Sequence, residues 1–74
     1  MTIRLSINGS PAGTIQFPGG LPIISNESWS VIDRLPVPIF PYLDPQKAAN
    51  VLVGLSSRDH LIPRLGLLHV EVRP

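Results

Sequence analysis

The chain contains no cysteine. That excludes disulfide staples and thiolate zinc clusters, and it fits a reducing compartment, so a cytoplasmic protein is the expectation. Ionic side chains are also scarce: 15% of the residues are charged, where an ordinary soluble domain carries roughly 25%. The six lysines and arginines are scattered, and the formal net charge is +1. A nucleic-acid binder presents a basic face or stripe, which this distribution does not supply. Long hydrophobic runs are missing too, because proline breaks each apolar stretch before it is long enough to cross a bilayer. The opening MTIRLSINGS alternates instead of forming the apolar core of a signal peptide. Without such a leader, the sequons Asn8-Gly9-Ser10 and Asn26-Glu27-Ser28 read as chance matches.

What is present points to a single small domain over residues 1–74, with one core and much of its chain at the surface. Hydrophobic residues make up 43% of the chain. With so few charges to coat the outside, part of the surface must be apolar, and exposed apolar patches commonly mark association sites. A protein partner, a second copy of the chain, or both are therefore expected. A small core also contributes little against chain entropy, which favours a homo-oligomer.

Residues 2–8 alternate strictly, with Ile3, Leu5 and Ile7 on one face and Arg4 and Ser6 on the other, the period of a half-buried strand. Asn8-Gly9 supplies a turn dipeptide, and Ile15 and Phe17 alternate again in residues 14–17. The pattern predicts a β-hairpin with a loop longer than two residues. Pro18-Gly19-Gly20 ends it, and LPII at 21–24 can be only a short edge piece because of Pro22. Ser25 or Asn26 can cap a short helix that carries Trp29, Val31, Ile32 and Leu35 and stops before Pro36. The clearest helix begins with Asp44 as N-cap and Pro45 at the first position. Ala48, Val51, Leu52 and Leu55 form its buried stripe, and Gly54 and Ser56-Ser57 mark its end. RDHLIPRLG at 58–66 reads as a loop with one helical turn after Ser57. LLHVEV at 67–72 reads as a strand with Leu68, Val70 and Val72 inward. The fold expected is α+β: a small three-stranded antiparallel sheet, made of the N-terminal hairpin plus the C-terminal strand beside the first. It packs against one main helix, with a proline-rich crossover.

That crossover, PVPIFPYLDP at 36–45, is apolar yet unable to join a ladder. In polyproline II geometry positions three apart align. Val37, Phe40 and Leu43 then form one edge, able to seal the helix onto the sheet. Pro36, Ile39 and Tyr42 form another, available to a partner. Tryptophan is enriched in binding hot spots as well as in cores. Trp29, Ile39, Phe40 and Tyr42 are accordingly the candidate partner-binding residues.

Support for catalysis is thin. Ser57, Asp59 and His60 are the residue types of a nucleophilic triad, but they are nearly adjacent, whereas triads converge from distant segments. Asp59, His60 and His69 lack the spacing of a zinc site. Pro18-Gly19-Gly20 lacks the further glycines and the lysine of a phosphate loop. No catalytic residue, metal, cofactor, small-molecule substrate or membrane association is expected. Residues 48–65 faintly resemble a helix-turn-helix, although Asn50 and Pro63 depart from that pattern, and nucleic acid is not an expected partner. The expected function is a small non-catalytic protein-binding module, such as an accessory subunit or inhibitor of the kind encoded by phages and mobile elements. A DNA-binding regulator using 48–65 is the alternative.

Overall fold

Two short edge strands enlarge the sheet beyond what the alternation patterns alone predict. The computed structural model describes residues 1–36 and 44–74. Along the chain run β1 (Thr2–Ile7), β2 (Ser10–Gln16), β3 (Ile23–Ile24), α1 (Asn26–Ile32), α2 (Pro45–Gly54), β4 (His60–Ile62) and β5 (Gly66–Arg73). The strands form one five-stranded sheet in the order β3-β2-β1-β5-β4, and every neighbouring pair is antiparallel. The expected three-stranded sheet under one main helix is therefore corrected to five strands with two α-helices among the described residues. β1 does lie beside β5, as the alternating patterns suggested. The segment read as a loop at 58–66 instead holds β4, which pairs with β5 as a hairpin. The helical turn expected after Ser57 comes before it, as a 3-10 turn at Leu55–Ser57 that continues α2.

The first hairpin is tighter than expected. Ile7 pairs with Ser10, so Asn8 and Gly9 alone make the turn, with φ of 52° and 84°. Both values are positive, the geometry whose twist matches that of paired strands. The extra length is absorbed further along, where Leu5 pairs with Gly13 but Ser6 pairs with Pro11. Ala12 is the additional residue of this β-bulge. Pro11 is tolerated because β3 pairs only with Ile15 and Gln16, which leaves the Pro11 end of β2 at an edge.

Both helices are capped as their sequences suggest. The Ser25 hydroxyl accepts from Ser28 N–H, and the Asp44 carboxylate accepts from Gln46 N–H and Lys47 N–H. α1 packs on β2 and α2 on β5, so one face of the sheet is covered. Ile3, Leu5, Ile15, Ile62, Leu68 and Val70 from the sheet meet Val31, Ile32, Leu35, Ala48 and Leu52 in a single buried cluster. A fully buried aliphatic side chain contributes about 1.5–3 kcal/mol, so this cluster supplies most of the apolar stabilisation.

α1 approaches β2 at a position with no side chain. A Cβ at Gly13 would stand 2.7 Å from Ser28 N and 2.9 Å from its Cα. Glycine there lets a serine-lined helix end sit directly on the strand. Thr14 N–H donates to Ser25 Oγ (3.3 Å), and the two serine hydroxyls are 2.9 Å apart. Ser28 Oγ–H donates to Thr14 O at 3.0 Å. Because Ser28 gives its proton to the carbonyl, Ser25 must donate to Ser28, and the ring of hydrogen bonds closes. Ser28 is fully buried, and among the described residues no buried side-chain polar atom lacks a partner.

Candidate functional site

Alternation puts the remaining strand side chains on the sheet face opposite the helices, and among the described residues no element covers that face. β1 contributes Thr2, Arg4 and Ser6. β5 contributes Leu67, His69, Glu71 and Arg73, and β2 contributes Thr14 and Gln16. Leu61 of β4 stands opposite Leu67. Leu61 is 78% exposed and Leu67 43% exposed, side by side at one end of the sheet. Ile23, on the other edge strand, is 59% exposed. Apolar side chains thus mark both edges, with polar and ionic groups between them.

The polar middle is ordered by two side-chain pairs. His69 Nδ1–H donates to the Asp59 carboxylate at 2.7 Å. Arg73 Nε–H donates to the Glu71 carboxylate. That bond holds the Glu71 carboxyl below its ordinary value, and the nearby positive charge of Arg4 acts in the same direction. Arg4 lies directly across the ladder from Glu71, yet Glu71 turns to Arg73. Among the described residues Arg4 enters no ion pair and no side-chain hydrogen bond.

Beside Arg4, at the bulge, is a hollow of about 340 Å³ lined by Arg4, Leu5, Ser6, Pro11, Gly13, Thr14 and Glu71. Its origin is local. It lies where the β1–β2 register shifts between Leu5 and Ser6, and a β-bulge bends its strand at such a point. Three groups around it, the Arg4 guanidinium and the hydroxyls of Ser6 and Thr14, can donate hydrogen bonds.

The residues singled out from the sequence fall differently. Trp29 is half-buried and packs against the core cluster. Ile39, Phe40 and Tyr42, with both edges of the proline segment, lie outside the described residues. Asp59 and His69 do come together, but His60 faces the helix side, where its Nε2–H donates to Leu55 O at 3.2 Å. Ser57, Asp59 and His60 therefore do not converge. Among the described residues no group of three metal-ligating side chains exists. Pro18–Gly20 forms a 3-10 turn that opens no helix. Residues 48–65 hold a strand where a helix-turn-helix needs its second helix.

Sequence reasoning missed the hollow and the Leu61–Leu67 pair. Strand parity already placed Arg4, Ser6, His69 and Glu71 away from the core, which was an available signal. No helix among the described residues is long and apolar enough to cross a membrane. No family model, curated protein or solved structure matches the chain.

Proposed function

We propose that this protein is a small non-catalytic binding module that docks protein through the open face of its sheet. One observation carries the reading: among the described residues the five-stranded sheet has its helices on one side only, and Leu61 and Leu67 stand adjacent and solvent-exposed on the other. Apolar pairs on an uncovered sheet face gain free energy when a partner covers them, at about 25 cal/mol per Å² of apolar area removed from water. The scarcity of charge across the chain supports the same reading. Trp29, half-buried, together with Ile39, Phe40 and Tyr42, remains a second proposed contact region. An accessory subunit or inhibitor is the kind of role such a module serves.

Light scattering over a wide concentration range tests this. Mass should rise with concentration in the parent protein, or on addition of a purified partner, and should stay at the monomer value in Leu61→Ser. Leu61 is largely exposed, so this substitution leaves stability within about 0.5 kcal/mol. A parent protein that stays monomeric at millimolar concentration and captures no partner overturns the reading.

A further inference from the structure

Resting on the open face as docking surface, we infer that the hollow at the β1–β2 bulge receives a carboxylate from the partner protein. Arg4 acts as its counter-ion, and the Ser6 and Thr14 hydroxyls flank it as donors.

The argument starts from the ladder. Arg4 and Glu71 are register partners on neighbouring strands, an arrangement in which opposite charges ordinarily pair across the sheet. Here the Glu71 carboxylate is taken by Arg73 on its own strand. The Arg4 guanidinium is left with a planar fork of donors at the rim of a hollow. The neighbouring hydroxyls of Ser6 and Thr14 add donors. A ligand matching this set must bring acceptors and negative charge, and a carboxylate can take the guanidinium in a bidentate pair.

Glu71 sets a cost on any anion. Its carboxyl is held ionised by Arg73, and it lines the same hollow. A dianionic phosphate monoester would meet about twice the repulsion from Glu71 that a carboxylate meets, and about twice the attraction to Arg4, so charge alone does not choose between them. The docking reading makes the choice, because a protein partner carries its anionic acceptors as the carboxylates of aspartate, glutamate and the chain terminus.

Position ties the hollow to the apolar pair. Leu67 and Glu71 lie on the same face of β5, four residues apart, or about 13 Å at the usual rise per residue. An extended partner segment can span that distance, with an aliphatic side chain on Leu61 and Leu67 and a carboxylate beside Arg4.

The test uses the ¹⁵N-labelled full chain titrated with N-acetylglycine, which carries a peptide-like terminal carboxylate. Sodium chloride at matched ionic strength and methyl phosphate serve as separate arms. The amide resonances of Ser6, Gly13 and Thr14 should shift and saturate with N-acetylglycine and show no saturation with chloride. Methyl phosphate should bind no more tightly. Arg4→Gln, a change at an exposed site, should preserve the remaining spectrum and weaken N-acetylglycine binding at least tenfold. Non-saturating shifts, equal affinity in Arg4→Gln, or tighter methyl phosphate binding would each overturn the inference. The two readings fail separately. Concentration-dependent mass that disappears in Leu61→Ser, with no N-acetylglycine site, removes only the carboxylate. A saturable N-acetylglycine site in a chain that docks nothing removes the partner.

Discussion

Replacing Gly13 with alanine tests the mode of helix docking most directly. The added Cβ would lie 2.3 Å from Ser28 Oγ, 2.7 Å from Ser28 N and 2.9 Å from Ser28 Cα. The hydroxyl alone could rotate away, but the other two atoms belong to the backbone of α1. The helix must therefore shift, and the shift breaks the ring joining Thr14, Ser25 and Ser28. Overpacking of this kind costs about 1–3 kcal/mol. The displaced hydrogen bonds add about 1 kcal/mol, and the strained positive φ adds about as much again. A total near 3–5 kcal/mol is a large share of the roughly 4–11 kcal/mol available to a chain of this size. In urea unfolding with a slope of about 1 kcal/mol/M, the midpoint should fall by roughly 3 M or more, or the variant should fail to fold. Ser28→Ala alone removes one donor from the ring and should cost about 1–2 kcal/mol. The double variant Gly13→Ala/Ser28→Ala separates the two contacts. It removes the hydroxyl clash but keeps the backbone clash, so it should be no more stable than Gly13→Ala. A midpoint shift below about 0.5 M for Gly13→Ala, or rescue by Ser28→Ala, would refute the backbone-contact reasoning.

Two further outcomes follow from side chains that fasten the sheet. Asn8 holds the hairpin turn to β5: its N–H donates to Leu67 O, and its Oδ1 accepts from Leu67 N–H, both at 2.9 Å. Asn8→Gly keeps the positive φ and loses only the side-chain bond, about 1 kcal/mol. Asn8→Ala also places a Cβ in the left-handed region and should lose about 2–3 kcal/mol, so thermal unfolding should rank Gly above Ala. Glu71 should titrate below its ordinary value because Arg73 bonds its ionised form. A depressed folded value means the bond contributes stability above the unfolded pKa and loses it as pH falls through the folded one. Carbon-detected NMR titration should show the Glu71 value rising in Arg73→Gln, and an unchanged value would remove that bond as the cause.

The elements legible in the sequence are those whose pattern is complete within the element. β1 and β5 alternate over enough residues for period two to be unambiguous. α2 combines an Asp44-Pro45 start with apolar residues at helical spacing, and Ser25 caps α1 as its residue type suggests. β4 has three residues between a polar stretch and Pro63, too few to show a period. It is a strand because β5 lies beside it, a fact that local composition does not carry. The bulge is equally non-local, since Ala12 is extra only relative to β1. For that reason the hollow was not legible, even though the parity of Arg4, Ser6 and Glu71 was. The two-residue turn was misjudged on the same ground: Pro11 and Gly13 look like loop residues until the bulge accommodates them within β2.

The layout of the open face also constrains the shape of what can cover it. A second broad sheet stacked face to face would bury Arg4, His69, Glu71 and Arg73 near the centre of the contact. Each ion removed from water costs several kcal/mol unless its partners are complete, and interface centres are depleted in charged residues for that reason. Arg4, which enters no ion pair among the described residues, would be the most costly of the group. A narrow segment avoids the problem. Lying from the Leu61–Leu67 pair toward the bulge, it covers the apolar side chains and leaves Arg73, beyond the hollow, in water. Of the ionic groups along its path, Arg4 is the one without an ion-pair partner among the described residues, and the segment can neutralise it. On these grounds an extended strand-like peptide suits this face better than a flat globular surface. Truncating the partner to such a peptide should therefore retain most of the affinity, measured by titration calorimetry. A loss of more than about a hundredfold, near 2.7 kcal/mol, would instead point to the broad contact.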